Sequence, residues 1–368
     1  MEIYNAMHTK SLKSKIIFGE QIKKLFKFAK ENNFAIPAVN CIGNESINAA
    51  IEASLSINSP IIIQFSIGGS KYIAGNSFTE KRGEIEASVM GAIHAAKYIH
   101  DISKHCEVPI IIHTDHCNKQ SIEWIDALLD VGEKFYNKNK IPLFSSHMID
   151  LSTDTLEENI FISNKYLKIM KKIEMTLEIE LGCTGGEEDG ISGPEINNST
   201  LYTQPEDVGF AYNEILKIDD NFTIAASFGN VHGVYKPGNV KLHPEILMNS
   251  QKYVTEKLKC KNAKPINFVF HGGSGSEQSK IEEAINYGVV KINIDTDTQW
   301  ATWFGIMNYY KKHESYLQGQ IGNPEGSDIP NKKYYDPRKW LIYGKQSMKE
   351  RLKCAFKDFN CININKFL

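Results

Sequence analysis

The sequence predicts an α/β chain folded as a (β/α)8 TIM barrel with additional N- and C-terminal helices. It reads as a single domain over 1–368, with 298–368 a helical C-terminal extension. Three observations predict this. Eight short apolar runs recur along the chain, plausible helices separate most of them, and no internal repeat, low-complexity linker or clean boundary divides the series. Runs rich in Ile, Val and Phe between turn residues read as buried parallel strands, and strand–helix alternation builds a parallel sheet. The length of 368 residues suits such a barrel with insertions.

The elements follow in order. The stretch IKKLFKFAK (22–30) is basic and amphipathic, and reads as a surface helix packed on the body in preference to a membrane-surface segment. Strands are expected at FAIPAVN (34–40), IIIQFS (61–66), VPIIIHTDH (108–116) and IPLFSSHMID (141–150). Four more follow at MTLEIELG (175–182), FTIAASFGN (222–230), INFVFHG (266–272) and VVKINID (289–295). Helices are expected over 45–57, 84–105, 121–139, 154–172, 206–217 and 277–287. Beyond the last strand, 298–317 reads as helix, 319–337 as a polar loop and 347–359 as a final helix, extending the barrel or building an oligomer contact. A doubly wound sheet would alternate similarly with fewer strands, but its signatures fail. GSGSEQ (273–278) has Gln278 where the third glycine of a dinucleotide loop belongs, and GVYKPGN (233–239) has Asn239 in place of the P-loop lysine.

Composition excludes several function classes. Forty-two basic against 44 acidic residues, a net charge of -2, argues against a nucleic-acid binder. A mean hydropathy of -0.33 and the absence of an apolar run near 18 residues argue against a membrane span. Seven cysteines, an odd number without a CxxC pair, read as reduced thiols. No charged-then-apolar leader pattern opens the chain, so the expected location is cytoplasmic.

In a barrel the chemistry sits at the C-terminal ends of the strands. Here those ends carry Asn40, Ser66, Asp115 with His116, Asp150, Glu180, His232 just past the sixth, His271, and Asn293 with Asp295. Any one histidine reads as structural. Three on one rim, His116, His232 and His271, form the donor set that leaves an open position on Zn²⁺. His113 and His147 read as core or supporting residues, and His8, His94, His100, His105, His243 and His313 as solvated. The loops HGGSGS (271–276) and NIDTDT (293–298) follow strands seven and eight, where this fold binds phosphate through backbone N–H groups. Lys236, in NVHGVYKPGN (230–239), reads equally as a phosphate cation or a solvated loop lysine. The loop GCTGGEEDG (182–190) reads as mobile and exposed. Either Glu187 or Glu188 could act from it as a general base after closure.

The blocks HTDHC (113–117), FSSHMIDLS (144–152), LEIELGCTGGEEDG (177–190), LYTQPEDV (201–208), SFGNVHGVYKPGNV (227–240), NFVFHGGSGS (267–276) and GVVKINIDTDTQWATW (288–303) resemble class II fructose-bisphosphate aldolases. The resemblance runs from about residue 15 to 360 and is nearest the longer class IIA subgroup. It implies reversible cleavage of fructose 1,6-bisphosphate to dihydroxyacetone phosphate and glyceraldehyde 3-phosphate through a metal-stabilised enediolate, in glycolysis and gluconeogenesis. By position it implies that His116, His232 and His271 bind catalytic Zn²⁺, and that Asp150 and Glu180 form a second metal site. Asp115 would handle the C4 hydroxyl proton, Glu188 the C3 proton, and Asn293 would hydrogen-bond the enediolate. Gly233, Gly272, Gly273, Ser274, Asp295 and Thr296 match the dihydroxyacetone phosphate pocket, and Lys236 and Ile294 join the substrate-binding set. Ser66 and Arg338, in YYDPRKW (334–340), match contacts to the glyceraldehyde 3-phosphate half, and Asn40 lines the site. The resemblance further implies a monovalent cation (K⁺ or Na⁺), a homodimer, and no Schiff-base lysine. Residues 67–90, 191–199 and 257–265 look family-variable.

Tagatose-bisphosphate aldolases share the metal chemistry but resemble a shorter subgroup lacking several of these blocks, so fructose is the expected sugar. A metal-dependent barrel hydrolase would commonly carry His-x-His on strand one, which here ends in Asn40. A non-catalytic binding protein on this fold is disfavoured by the intact set of metal, acid, base and phosphate residues.

Overall fold

The computed structural model describes residues 14–182, 185–188, 191–192, 202–232 and 241–366. Eight parallel strands close into a barrel: β1 (Ile36–Asn40), β2 (Ile61–Phe65), β3 (Ile110–Thr114), β4 (Ser146–Ile149), β5 (Thr176–Leu181), β6 (Phe222–Ala226), β7 (Phe268–Phe270) and β8 (Val289–Ile294). Each strand pairs with its sequence neighbours, and β1 pairs with β8 to complete the ring. All eight predicted runs therefore become barrel strands, each shorter than its run.

Helices form the outer layer: α1 (Glu20–Asn32), α2 (Asn44–Ile57), α3 (Ile67–Ala74), α4 (Asn76–Arg82), α5 (Glu84–Ser103), α6 (Ile122–Asn139) and α7 (Leu156–Met170). The series continues with α8 (Pro205–Leu216), α9 (Glu245–Leu258), α10 (Gln278–Asn286), α11 (Thr296–His313), α12 (Lys332–Tyr335) and α13 (Pro337–Asp358). Local chemistry sets several starts. Ser66 Oγ accepts from Gly69 N and caps α3, Thr155 caps α7, and Pro205 opens α8 at a position needing no N–H. Between strands and helices lies an apolar layer containing the fully buried Trp124, Phe65, Phe144, Phe268, Phe270 and Phe356.

Helices for which no bounds were named fill two stretches: α3 and α4 follow β2, and α9 precedes β7. Three expectations are corrected. The polar loop at 319–337 contains an antiparallel hairpin, Ile321–Asn323 with Gly326–Pro330, and then α12. The final helix begins at Pro337, well before 347, because Asp336 caps it and Pro337 occupies its first turn. His100 is buried rather than solvated. Its ring packs on Phe135 and Nε2 meets the Leu143 carbonyl at 3.1 Å, with burial holding its pKa below the usual value.

Candidate active site

Side chains alternate along a strand, so every second residue of a barrel strand enters the lumen. The register pairs Asn40 with Gln64, Gln64 with His113, His113 with Ser146 and Glu178 with Thr223. At the C-terminal rim the next residues inward from each strand meet around Asp115.

Asp115 is 2% exposed and accepts hydrogen bonds from three amides. Gln64 Nε2 donates at 2.8 Å and Asn40 Nδ2 at 3.0 Å to one oxygen, and Asn293 Nδ2 donates at 3.1 Å to the other. Burial alone would push this carboxyl up. The positive charge of His116, then Lys291 and His271, outweighs burial and brings it to about 2.

His116 adopts φ +32°, a strained value for a residue with a side chain. That turn brings its ring beside carboxylates at the ends of β4 and β5 while a ring nitrogen stays within 4.8 Å of Asp115. Nδ1 lies 3.1 Å from Asp150 and 3.5 Å from Glu180. Ser152 holds the other Asp150 oxygen through its N–H at 3.1 Å and its hydroxyl at 2.6 Å. Burial opposes ionisation of Asp150, but His116 and Ser152 keep its pKa well below the carboxylate range. His271 is fully buried, its ring centroid 4.6 Å from that of His116. Its Nδ1 faces Glu180 at 3.3 Å and its Nε2 faces Glu178 at 2.9 Å. Asn230 Nδ2 donates to the His271 carbonyl at 3.1 Å and ties the ends of β6 and β7 together.

Imidazole nitrogens and carboxylate oxygens converge here as a divalent metal requires. Donor atoms of Asp115, His116 and His271 lie within 4.8 Å of one another, and so do those of His116, Asp150 and Glu180. A third cluster, His113, Asp115 and Glu178, is equally close but does not suit a metal. Lys291 Nζ sits among its donors, 2.8 Å from both Glu178 oxygens and 3.2 Å from His113 Nε2.

Burial lowers the His271 pKa, but Glu180 and Glu178 together raise it to about 9 in the metal-free protein. A metal must displace that proton. Apparent zinc affinity is therefore expected to fall about tenfold per pH unit below pH 9. Because the folded value lies above the unfolded one, the contribution of His271 to metal-free stability is full below pH 6.5 and is lost as pH rises through about 9. Chelator competition and melting of EDTA-treated protein across pH 6–9 check both signs; a pH-independent zinc affinity contradicts the first.

Gly272 (φ +65°) follows β7, and a Cβ on Gly273 would fall 2.5 Å from Ile292 and 3.1 Å from the Asn293 carbonyl, so only glycine lets this loop lie on β8. Ser274 Oγ approaches the Asp297 N–H at 3.5 Å, which places the Gly272–Ser274 loop beside Ile294, Asp295 and Thr296 at the start of α11. Backbone N–H groups at a helix start favour an anion.

The remaining predicted residues divide four ways. Ser66 is buried at the end of β2, where its hydroxyl caps α3. Arg338, in the first turn of α13, has a side chain 88% exposed, and its Nη2 lies 2.6 Å from Asp336, its partner among the described residues. Gly233 and Lys236 lie outside the described residues. For Glu188 and His232 the backbone alone is described: Gly185–Glu188 forms a strand paired with Val231–His232 on one side and Ile191–Ser192 on the other. The 185–188 stretch is thus not the free loop its glycines suggest, because two neighbouring segments take up its backbone hydrogen bonds. Among the described residues with polar roles here, Gln64, Glu178 and Lys291 were not anticipated. The signal for each was available: each lies two residues before a predicted rim residue, on the same lumen-facing register, as His113 does before Asp115.

Residues 20–364 match the model of the family described as fructose-bisphosphate aldolase class-II. The chain belongs to the class-II fructose-bisphosphate aldolase family. This aldolase is 58% identical over 353 residues to the fructose-bisphosphate aldolase of Edwardsiella ictaluri, covering 96% of this chain and 98% of that one. It is 57% identical over the same coverage to the class 2 enzyme of Escherichia coli. The crystal structure of fructose-bisphosphate aldolase from Campylobacter jejuni superposes with a TM-score of 0.86 at 54% identity, covering 95% of this chain and 97% of that one. The aldolase is a lyase whose family uses a divalent metal and a phosphorylated sugar. No described helix is long and apolar enough to cross a membrane.

Proposed function

We propose that this aldolase is a zinc enzyme that reversibly cleaves fructose 1,6-bisphosphate into dihydroxyacetone phosphate and glyceraldehyde 3-phosphate. The observation that carries this reading is the Asp115 carboxylate, bound by three amides and within 4.8 Å of the donor atoms of the His116–His271 pair. In the proposal His116, His232 and His271 hold Zn²⁺, and Asp150 and Glu180 offer a second metal position beside His116. Bound there, Zn²⁺ supplies Lewis-acid polarisation of the substrate carbonyl.

The chain's own groups do the rest. Asp115 accepts the C4 hydroxyl proton in cleavage and returns it in condensation, and Glu188 exchanges the C3 proton. The Asn293 amide donates where negative charge develops on substrate oxygen, a preorganised stabilisation. Gly233, Lys236, Gly272, Gly273, Ser274, Ile294, Asp295 and Thr296 hold one phosphate, beside a site for K⁺ or Na⁺. Asn40 and Ser66 serve the other half of the substrate. Arg338 can join them only by leaving Asp336. These two remote handles position the reacting carbons.

A homodimer fits the exposed aromatic face of α11, where Trp300 is 61% and Trp303 is 55% exposed. A cytoplasmic setting fits the free thiols at Cys41, Cys106, Cys117, Cys260, Cys354 and Cys361.

The test is a coupled cleavage assay on fructose and tagatose 1,6-bisphosphates, with EDTA and then zinc. Expected is cleavage of the fructose ester, lost on chelation and restored by zinc. Cleavage of the tagatose ester alone would overturn the sugar. Chelator-resistant activity would overturn the metal.

A further inference from the structure

Beneath the rim the lumen holds a second polar layer that the proposed reaction does not use. Glu178 and Lys291, each 2% exposed, form an ion pair in which Lys291 Nζ is 2.8 Å from both carboxylate oxygens. Thr223 Oγ1 donates to Glu178 at 3.3 Å. Lys291 also meets His113 Nε2 at 3.2 Å, and His113 Nδ1 meets Ser146 Oγ at 2.7 Å. Five strands, β3, β4, β5, β6 and β8, are thereby tied at one level.

Stability alone does not explain this layer. Barrel lumens are ordinarily filled by branched aliphatic side chains. A buried ion pair is often no more stabilising than apolar residues of its volume. The layer meets the metal-binding cluster above where Glu178 Oε1 accepts from His271 Nε2 at 2.9 Å. Once the ring gives up one proton to bind a metal, that bond keeps the remaining proton on Nε2 and makes Nδ1, which faces Glu180, the ligand atom. Lys291 fixes both Glu178 oxygens, so the acceptor cannot rotate away.

We infer that Glu178 and Lys291 are positioning residues that fix the tautomer and ring orientation of His271 and so set the metal affinity of the site. The inference rests on the reading that His271 is a metal ligand. Partners of this kind typically contribute about 10- to 100-fold in metal affinity.

Zinc affinity is measured on the full chain by competition with a chromogenic chelator, together with the visible spectrum of the Co²⁺ form and the melting temperature of the metal-free protein. Glu178→Gln is expected to weaken zinc binding about 10- to 100-fold and to alter the Co²⁺ bands. Lys291→Met strands a buried carboxylate and is the variant at risk of misfolding. Glu178→Gln/Lys291→Met, which removes both charges together, keeps the question open to test and is expected to show the same loss. His271→Ala is the reference. If it leaves zinc affinity unchanged, the ligand reading itself fails. If it weakens binding while Glu178→Gln and the double variant stay within about twofold of the parent, whatever their melting temperatures, the positioning role is overturned.

Discussion

Asp115→Asn is expected to lower kcat for cleavage by about 10²- to 10⁴-fold, the range a positioned proton-transfer group supplies. The substitution keeps shape and removes the charge. Asp115 accepts from Gln64, Asn40 and Asn293 at once. An asparagine would turn its own NH₂ toward at least one of those donors, so a stability loss of about 1–3 kcal/mol should accompany the rate loss. The two effects separate by measurement. Zinc content and substrate KM should stay near parental while kcat falls. A variant with parental kcat would remove Asp115 from the chemistry. One that loses zinc in proportion to activity would make Asp115 a support for the metal instead.

The largest stability effect expected from a single methyl group is at Gly91. This residue lies on α5 where α3 crosses it, and a Cβ there would fall 1.8 Å from the Ser70 carbonyl oxygen and 3.1 Å from the Ala74 nitrogen. Both neighbours are backbone, so neither can rotate aside. Gly91→Ala must push the helices apart, at a cost of about 1–3 kcal/mol or more against the small gain in helix propensity. The displacement is also expected to raise KM, because α3 starts at Ser66, whose hydroxyl caps it. A urea midpoint equal to the parent's would show that the α3–α5 contact gives way freely.

Much of this aldolase was legible along the chain because its determinants are local. A run such as Ile61–Phe65, all five residues buried, declares itself by composition. The residue ending each run could be read as a rim residue, which brought Asp115, His116, Asp150, Glu180, His271 and Asn293 onto one list. What escaped was of two kinds. Short elements with weak periodicity, such as α4 and the hairpin at Ile321–Pro330, are held by neighbours more than by their own pattern. The early start of α13 did have a local signal, Asp336 before Pro337, outweighed by the polar residues around it. In the site, Gln64, Glu178 and Lys291 lie inside strands, where a charged or amide side chain looks like an interruption of an apolar run.

The sequence by itself determined the barrel, the order of its strands and the chemical types gathered at its rim. Those follow from hydrophobic periodicity and from the rule that strand ends of one kind share one face. Only the tertiary structure decided who touches whom. The strand register sets Lys291 against Glu178 and His113, and the strained turn at His116 sets that ring against both Asp150 and Glu180. A salt bridge in water is worth little and could form with many partners. Inside a closed lumen the cost of an unpaired charge leaves one arrangement, and that cost exists only once all eight strands have closed.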